Sequence, residues 1–333
     1  MRVGIVGTGF MGQTHAAGWA ATPAEMVGVV SKNENTAVSL TKQYGGNIYP
    51  DLARMLLDVD VVDICTPTYL HHEIAMQAAA AGKHVICEKP LARTVEQAEE
   101  IMAACEAAGV KLLVAHVVRF FHDYALAKQT VAAGEVGKPT IIRLKRGSFQ
   151  PQKSVSNWFL DFEKSGGVML DLMIHDFDYA RWIAGDVVHV YAKKFNSSHA
   201  GADITHGLAI LTHESGAVSR VEGSWSWTYP QPIFRTQLEI AGDNGMVQFD
   251  AEQAAPIGLS QPQMGGEAQD VPLLRSPLSE DPYTTQIKSF YDHLVNDALV
   301  RITAVDGYKA VQIALAAIES AQTGQIVAID NSE

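Results

Sequence analysis

The sequence predicts an α/β protein with two domains, and three observations support this fold class. First, 333 residues exceed the usual size of a single domain. Second, residues 1–120 alternate short apolar strands with helical stretches, which is typical of a parallel sheet layered with helices. Third, residues 121–333 contain mostly strand-like segments separated by turn residues, which predicts an α+β domain with a large open, mostly antiparallel sheet.

The composition excludes several classes of protein and partner. Hydrophobic residues make up 47% of the chain and charged residues 19%, as in globular proteins. The net charge of -12 argues against nucleic acid or an anionic membrane as a partner. The chain opens directly on a strand and has no apolar run of membrane-spanning length, so neither a signal peptide nor a membrane span is expected. Cys65, Cys87 and Cys105 lie in apolar or helical surroundings, which predicts reduced thiols of a cytoplasmic protein and neither disulfides nor a metal site.

The first strand leads directly into a glycine-rich turn. Val3–Val6 is apolar, positions 7 to 12 have the pattern G-x-G-x-x-G, and an alanine-rich helix is predicted from Gln13 to Ala21. In this context the first glycine permits a tight turn, the second lets backbone amides approach a pyrophosphate, and the third allows close packing of helix on strand. The order of elements predicts a Rossmann domain that binds a dinucleotide. The predicted contacts of this turn are Gly7, Gly9, Phe10, Met11 and Gly12.

The residues after the second strand bear on the choice between NAD and NADP. The strand predicted from Met26 to Val30 is followed by Ser31 and Lys32. A carboxylate at this point binds the ribose hydroxyls of NAD and repels the 2′-phosphate of NADP. A hydroxyl and a cation accept that phosphate instead, so the sequence favours NADP. NAD stays open, because Glu34 is close by and because Ser31 and Lys32 are also ordinary loop residues.

The alternation of helices and strands continues to residue 120, where we place the domain boundary. Thr94 is a typical helix cap, and the strands are short apolar runs. Parallel winding brings the carboxyl ends of such strands to one edge of the sheet. The predicted helices are Thr36–Tyr44, Leu52–Leu57, Ile74–Ala80 and the segment from Thr94 to Ala108, and the predicted strands are Asn47–Tyr49, Val61–Cys65, Val85–Cys87 and Val110–His116.

One candidate site lies where the strand Val61–Cys65 ends. Thr66-Pro67 leaves this strand at its carboxyl end, where a hydroxyl and a proline-shaped turn face the predicted cofactor. His71 and His72 begin the next helix. A helix cap or a solvated side chain is the ordinary alternative for a histidine at such a place.

A second candidate site is Glu88-Lys89-Pro90, at the end of the strand Val85–Cys87. Proline stops the strand and biases Lys89 towards an extended conformation that points outward. An ammonium at this edge of the sheet is placed to stabilise a reacting oxygen. A surface Glu-Lys pair before a turn is the alternative.

The carboxy-terminal half changes to strands joined by turns such as Glu214-Ser215-Gly216 and Asp243-Asn244-Gly245. One long helix is predicted from Gly167 to Ala184, capped by Ser165 and ended by Gly185. Residues 251–282 are predicted to form a surface loop, with an active-site lid as the alternative. The predicted strands are Thr140–Phe149, Val187–Phe195, Ile204–Thr212, Ala217–Thr228, Thr236–Ala241, Met246–Asp250 and Ile326–Ile329, and the last helices are Tyr283–Asn296 and Asp306–Thr323.

The long helix is predicted to place Asp171, His175, Asp178 and Trp182 on one face, because they are spaced by four, three and four residues. Asp171 then orients His175, which can take a proton from a hydroxyl. A solvated pair on an ordinary amphipathic helix is the alternative. No metal site is predicted, since the sequence has no third His or Cys at ligand spacing and Asp176 points elsewhere on the helix.

The strand Ala217–Thr228 carries Trp225 and Trp227 on one face. A buried sheet face is the ordinary reason for such a pattern, and stacking on a sugar ring is the alternative. The length and apolar character of the strand also suggest a subunit interface of a homo-oligomer.

Together these motifs resemble the Gfo/Idh/MocA oxidoreductase family, named for glucose-fructose oxidoreductase and inositol dehydrogenase. The likeness covers nearly the whole chain, and residues 174–178 look particularly like the inositol dehydrogenases. Ser31 is a departure, because many NAD-using members carry an acid there. The resemblance rests on the glycine turn, Thr66-Pro67, Glu88-Lys89-Pro90, the segment from Gly166 to Asp176, and Asp306-Gly307.

The resemblance also implies roles for individual residues. Lys89 would touch the substrate hydroxyl and the nicotinamide, His175 would shuttle the proton, and Asp171 would assist it. Asp178 would bind a substrate hydroxyl. The remaining implied contacts are Arg119, Asn157 and Trp158 with substrate or nicotinamide, and Ser31, Lys32, Thr66, Pro67, His71 and Glu88 with the cofactor.

The activity implied is that of an NAD(P)-dependent dehydrogenase. It would transfer a hydride between the nicotinamide and a secondary hydroxyl of a sugar, inositol or related polyol, as a homodimer or homotetramer. Two alternatives are a glycosidase that uses NAD for transient oxidation and a non-catalytic nucleotide-sensing protein. The joint presence of Lys89, Asp171 and His175 argues against the sensor, which needs no proton-transfer groups.

Overall fold

A computed structural model describes most of the chain, and its residues form two compact units. The first unit contains Met1–Phe120 and Glu280–Val311, and the second contains Phe121–Ser279 and Gln312–Glu333. The segment Glu280–Val311 thus returns to the first unit after most of the second unit has been traversed. The described residues are 1–149, 158–199, 202–227, 234–251, 257–261, 269–272 and 280–331.

The helices and strands of the described residues are numbered separately in chain order. The helices are α1 Phe10–Ala20, α2 Glu34–Tyr44, α3 Leu52–Leu56, α4 His71–Ala80, α5 Val95–Ala107, α6 His122–Ala132, α7 Phe162–Ser165, α8 Gly167–Asp171, α9 Ile174–Ala184, α10 Pro282–Asn296 and α11 Ala304–Thr323. The strands are β1 Arg2–Val6, β2 Glu25–Val30, β3 Asn47–Ile48, β4 Val61–Ile64, β5 His84–Glu88, β6 Leu112–Ala115, β7 Pro139–Phe149, β8 Val187–His199, β9 Ala202–His213, β10 Val218–Trp227, β11 Phe234–Gly242, β12 Met246–Asp250, β13 Ile257–Gln261, β14 Gln269–Pro272 and β15 Val327–Ala328.

The first unit is built on a six-stranded parallel sheet in the order β3-β2-β1-β4-β5-β6. This is the order of a doubly wound dinucleotide-binding sheet, so the predicted Rossmann domain is confirmed. The strands are continuous apolar runs because helices cover both faces of such a sheet. The predicted cap at Thr94 is also confirmed, since its side chain accepts a hydrogen bond from the Gln97 amide.

Helix α10 belongs to the first unit because it packs on α1. Ile287 and Phe290 of α10 are buried in the same core as Val3, Ile5 and Trp19. Gly18 makes the close approach of the two helices possible, because a Cβ atom there would lie 2.8 Å from Ile287 Cγ1. A segment near the end of the chain thereby completes the core around β1.

Two basic side chains, Arg119 and Lys111, hold the returning segment Glu280–Val311 through ion pairs and hydrogen bonds. Arg119 is 1% exposed, its guanidinium donates to the Arg301 carbonyl at 2.7 Å, and it pairs with Asp306 at 3.1 Å. Lys111 donates to the His293 carbonyl at 2.6 Å and pairs with Asp297. Burial alone would raise the pKa of Asp306, but the Arg119 charge and the Thr303 hydrogen bonds lower it to about 2.

The second unit is built on a nine-stranded sheet in the order β14-β13-β12-β11-β7-β10-β9-β8-β15. Among the described strands of this second sheet, only β7 and β10 pair in parallel, which confirms the predicted mostly antiparallel sheet. Alternate residues of its central strands are buried, including Ile142, Leu144, Ala209 and Val221. Helices α8 and α9 lie against this inner face of the sheet.

The single long helix predicted from Gly167 to Ala184 is wrong, because the chain forms α8 and α9 with a break at residues 172 and 173. Met173 lies at the break and packs over glycines of the sheet. A Cβ atom at Gly207 would lie 2.5 Å from Met173 Sδ, and one at Gly223 would lie 2.2 Å from Met173 Cγ. The predicted end at Gly185 is confirmed, whereas Gly166 is the cap residue and Ser165 accepts a hydrogen bond from the Gly167 amide at 3.0 Å.

The continuous loop predicted for residues 251–282 is also wrong, since it contains the strands β13 and β14. Each pairs with a preceding strand, so together they extend the sheet beyond β12. Short edge strands of this kind depend on the partner that the sheet offers, which local propensity does not reveal. The lid alternative falls largely on residues 252–256, 262–268 and 273–279, which lie outside the described residues.

Trp225 of β10 is buried, as expected for an inward-facing aromatic residue, while the Trp227 side chain lies outside the described residues. No helix in the described part of the chain combines the length and apolarity needed to cross a bilayer.

We predict that Asp306→Asn lowers the free energy of unfolding near pH 7 by about 2 kcal/mol, because the wild-type carboxyl is charged and paired with Arg119. The folded-state pKa of about 2 lies below the ordinary value of 3.8, so this contribution is complete above pH 3.8 and is lost as the pH falls towards 2. Denaturant unfolding of both proteins from pH 7 to pH 2 measures the difference. A gap between them that stays constant over this range would contradict the assignment.

Candidate active site

The glycine turn of the first unit has the geometry of a phosphate cradle. Gly7 has a φ of +97°, and a Cβ atom at Gly12 would lie 2.0 Å from the Gly7 carbonyl oxygen. Around Gly9 the space is open, with nothing in the described chain within 4 Å of an added Cβ. Gly9 is also the cap residue of α1, so the first amides of this helix receive no side-chain cap. Open space and free helical amides fit a pyrophosphate.

The end of β2 contributes a cluster of hydroxyl groups. The Thr8 hydroxyl donates to Ser31 Oγ at 2.6 Å and lies 2.6 Å from the Thr36 hydroxyl. The backbone N–H of Asn33 donates to Ser31 Oγ at 3.1 Å. Within the described chain, the polar partners of Ser31 are hydroxyl and backbone groups and include no carboxylate. Lys32, the next residue, is exposed.

His71 links the two strand ends that the sequence singled out. It is buried, with Nδ1 2.8 Å from the Pro90 carbonyl oxygen and Nε2 2.9 Å from the Thr66 carbonyl oxygen. It is therefore a bridge between two turns and not a solvated side chain. Thr66 Oγ1 is a buried atom with no hydrogen-bond partner in the described residues, which fits a ligand group at this edge of the sheet.

Glu88 is the last residue of β5, one residue beyond the predicted strand Val85–Cys87, and its side chain binds the turn that follows. Its Oε2 accepts a hydrogen bond from the Lys89 amide at 3.1 Å. Lys89 itself is half-buried, and its peptide bond to Pro90 is cis. The Glu-Lys pair is therefore not an ordinary exposed turn, because Glu88 is 5% exposed.

The other Glu88 oxygen meets a buried histidine that sequence reasoning missed. His15 of α1 is 0% exposed, with Nε2 3.1 Å from Glu88 Oε1 and Nδ1 3.0 Å from both oxygens of Asp63. Trp19 Nε1 donates to Asp63 at 2.7 Å, and the Cys65 thiol lies beside both groups. The residues come from α1, β4 and β5, so only the parallel register of the strands brings them together.

In the second unit, the predicted residues lie on the two helices that replace the long one. Asp171 is at the end of α8, while His175 and Asp178 are on α9. Asp171 and Asp178 are buried and His175 is half-buried. The four-residue spacing of Asp171 and His175 therefore spans a break and is not the spacing of one continuous helix. The solvated-pair alternative does not fit the buried carboxylates.

A buried ion pair anchors α9 on the sheet. Arg146 of β7 donates to Asp176 through two nitrogens, at 2.8 and 2.9 Å, and to the Tyr124 hydroxyl at 3.3 Å. Burial raises the pKa of Asp176, and the Arg146 charge opposes that effect. Sequence reasoning missed this pair because its partners lie on separate elements. The ion pair holds Asp176, the residue that follows His175, on the sheet.

The remaining predicted contacts have different surroundings. Arg119 is buried in the first unit, where its guanidinium binds the Arg301 carbonyl oxygen and the Asp306 carboxylate. Trp158 begins a short 3-10 turn and stacks on Phe159, with ring centroids 3.9 Å apart. Asn157 lies outside the described residues. Lys89 belongs to the first unit, and the Asp171 and His175 set belongs to the second.

Comparisons with known proteins cover nearly the whole chain. The sequence profile described as an oxidoreductase family with an NAD-binding Rossmann fold matches residues 1–116, and that of the GFO/IDH/MocA C-terminal domain matches residues 124–248. An uncharacterized oxidoreductase, YrbE, of Bacillus subtilis is 30% identical over 99% of this chain and 97% of its own. The myo-inositol 2-dehydrogenase of Thermotoga maritima is 26% identical, over 99% of each chain. A solved structure of levoglucosan dehydrogenase with NADH and L-sorbose has a TM-score of 0.88 at 25% identity, over 99% of each chain.

Proposed function

The chain belongs to the Gfo/Idh/MocA oxidoreductase family, and we propose that it is an NAD(P)-dependent dehydrogenase acting on a secondary hydroxyl of a sugar, inositol or related polyol. The observation that carries this proposal is the Glu88-Lys89 turn at the carboxyl end of β5, beside a glycine turn whose open helix terminus fits a pyrophosphate. Relatives named as myo-inositol 2-dehydrogenase and levoglucosan dehydrogenase support the substrate class.

The first unit supplies the proposed cofactor contacts. The amides of the glycine turn, from Gly7 through Phe10 and Met11 to Gly12, hold the pyrophosphate at the amino terminus of α1. The buried Thr66 hydroxyl and the Pro67 turn face the nicotinamide end, and His71 fixes both turns there. When bound, the nicotinamide accepts or returns the hydride.

The proposed chemistry of the chain is proton transfer and charge stabilisation. Lys89 Nζ donates a hydrogen bond to the substrate oxygen and stabilises negative charge that develops there. The His175 imidazole takes the hydroxyl proton, and the Asp171 carboxylate stabilises the imidazolium that results. Asp178 accepts a hydrogen bond from a second substrate hydroxyl.

Trp158 and Asn157 are two further proposed substrate contacts. Trp158 offers a stacked aromatic surface to a sugar ring, and Asn157 is the residue before it in the chain. The guanidinium of Arg119 is buried against the Arg301 carbonyl and the Asp306 carboxylate, which supports a role in holding the returning segment in place of the substrate contact expected from the sequence.

We further propose that the adenosine end of the site accepts NADP better than NAD. The Ser31 hydroxyl is surrounded by hydroxyl and backbone partners, and Lys32 is exposed beside it. A neutral cluster with an adjacent cation tolerates a 2′-phosphate, whereas a carboxylate repels it.

A cytoplasmic location is proposed from the thiols. Cys65, Cys87 and Cys105 are free and buried. Burial raises the pKa of Cys65 to about 12 and that of Cys105 to about 11, so these groups are inert thiols, as is usual in a reducing compartment.

We predict that Lys89→Ala lowers kcat by roughly a hundredfold to a thousandfold and changes the Kd for NADH by much less, because the ammonium acts on the reacting oxygen. Nicotinamide absorbance with a panel of inositols, aldoses and sugar acids measures kcat, and NADH fluorescence measures Kd. Lys42→Ala, which removes an exposed lysine of α2, is the matched control. Wild-type kcat in Lys89→Ala would refute the assignment, and hydrolysis of a glycoside without reduced cofactor would indicate the glycosidase.

We predict a higher kcat/KM with NADP than with NAD, and a reversal in Ser31→Asp. The new carboxylate repels the 2′-phosphate, so kcat/KM for NADP falls by roughly tenfold or more. Initial rates with each cofactor and one fixed substrate measure the change. Asn35→Asp, which places the same charge at an exposed position nearby, should leave the preference unchanged. A wild-type preference for NAD would overturn the proposal about Ser31.

We propose a homo-oligomer formed through the outer face of the nine-stranded sheet, because large apolar side chains stand exposed there. Its exposed members are Ile141, Tyr191, Phe195, Leu208 and Val218, with Phe195 62% exposed. Residues facing outward on neighbouring strands form one continuous surface.

The interface proposal predicts that light scattering finds a dimer or tetramer at micromolar concentration and that Leu208→Glu shifts it to monomer, because the interface then buries an unpaired charge. Leu57→Glu, at an exposed leucine of the first unit, is the control and should leave the mass unchanged. Only monomer across a dilution series of the wild type would remove the proposal.

A further inference from the structure

The buried cluster of His15, Asp63 and Glu88 links two parts of the first unit that the proposed function uses. His15 lies on α1, which begins at the glycine turn, and Glu88 is the residue before Lys89. The ring reaches Glu88 on one side and Asp63 of β4 on the other. All three side chains are buried, so water cannot replace any of these bonds at little cost.

The hydrogen-bonding distances of His15 fit a doubly protonated ring. Both ring nitrogens lie 3.0 to 3.1 Å from carboxylate oxygens of Asp63 and Glu88. An imidazolium donates through both nitrogens and so satisfies both contacts. Burial alone would lower the pKa of His15, but the Asp63 carboxylate raises it well above its usual value. The neighbouring charged or titratable groups are Asp63, Cys65, Glu88, Cys87, His71 and Lys89.

The link continues from Glu88 to the backbone of Lys89. One Glu88 oxygen accepts from His15, and the other accepts from the Lys89 amide at 3.1 Å. With both oxygens engaged, the Glu88 rotamer is fixed, and so is the direction in which Lys89 leaves the strand.

His15, Asp63 and Cys65 also bring three ligand-type atoms within 4.8 Å of one another, but their mutual hydrogen bonds already account for that closeness.

We propose that His15 is a positioning residue for Lys89: as a double donor between Asp63 and Glu88, it holds the Glu88-Lys89 turn in its catalytic geometry. The inference rests on the proposed catalytic role of Lys89. His15 touches neither substrate nor cofactor in this proposal, and it acts only through Glu88.

The hydrogen bonds make the role testable by substitution. His15→Gln keeps an amide donor for one carboxylate but removes the second ring donor, so Asp63 and Glu88 are no longer linked by two hydrogen bonds. We expect kcat roughly tenfold to a hundredfold below wild type, while the Kd for NADH changes less than about threefold.

The experiment compares His15→Gln, Glu88→Gln and the double variant with Trp19→Phe. Trp19→Phe removes the 2.7 Å bond to Asp63 and leaves the contact with Glu88, so it controls for general damage to the cluster. The double variant should be no slower than Glu88→Gln alone, because both changes break one link. Additive losses, or an equal loss of kcat in Trp19→Phe, would overturn the proposal.

Two readouts do not need turnover. Nitrogen-15 NMR of labelled histidine should show both His15 nitrogens protonated from pH 6 to pH 9, and a neutral ring at pH 7 would refute the link. Hydrogen exchange of the Lys89 amide should accelerate in His15→Gln and not in Trp19→Phe. Unchanged exchange would equally refute it, and Glu88→Gln serves as the second variant if His15→Gln does not fold.

These readouts separate the two proposals. If the wild type oxidises no polyol but His15 is an imidazolium and controls Lys89 exchange, the positioning link stands and the proposed function fails. If Lys89→Ala abolishes turnover but His15→Gln keeps wild-type kcat and exchange, the function stands and the positioning role fails.

Discussion

The parallel register of β1, β4 and β5 is the constraint on which the candidate site of the first unit depends. Val6 pairs with Ile64, and Ile64 pairs with Cys87, so three strands end side by side. The glycine turn, the Thr66 turn and the Glu88 turn leave the sheet from these ends. A shift of one residue in any strand would turn each side chain towards the opposite helix layer and separate the turns. The apolar strand residues therefore specify the site as well as the fold.

Lys89 and His175 each stand beside a buried carboxylate that is bound by a buried basic side chain. Lys89 follows Glu88, which is bound to His15, and His175 precedes Asp176, which is bound to Arg146. Buried ion pairs add little net stability, because desolvation offsets most of the attraction. Their bonds are directional, however, and they fix the backbone on which a neighbouring side chain stands. We interpret both buried pairs as fixing the positions of the neighbouring catalytic side chains. This role explains why charged groups occur in otherwise apolar surroundings.

The sequence was most informative where the structure is local. The glycine turn, the alternation of strands and helices in the first unit, the Thr94 cap and the end of α9 at Gly185 all follow from short-range patterns. The break at Met173 depends on Gly207 and Gly223, and the strands β13 and β14 depend on a sheet edge. The partners of His15 and Arg146 lie on other elements, so no spacing along the chain could indicate them. What escaped prediction is thus what tertiary contacts decide.

The return of residues 280–311 to the first unit has a consequence for folding during synthesis. Residues 1–120 leave the ribosome long before α10 exists, so the core around Trp19 and the buried Arg119 then lack Phe290 and Asp306. Such contacts between distant parts of a chain form slowly, because a long loop must close first. The amino-terminal domain is therefore finished late, after the strands β7 to β14 of the second unit have been translated. The first segment to be translated is among the last to be completed.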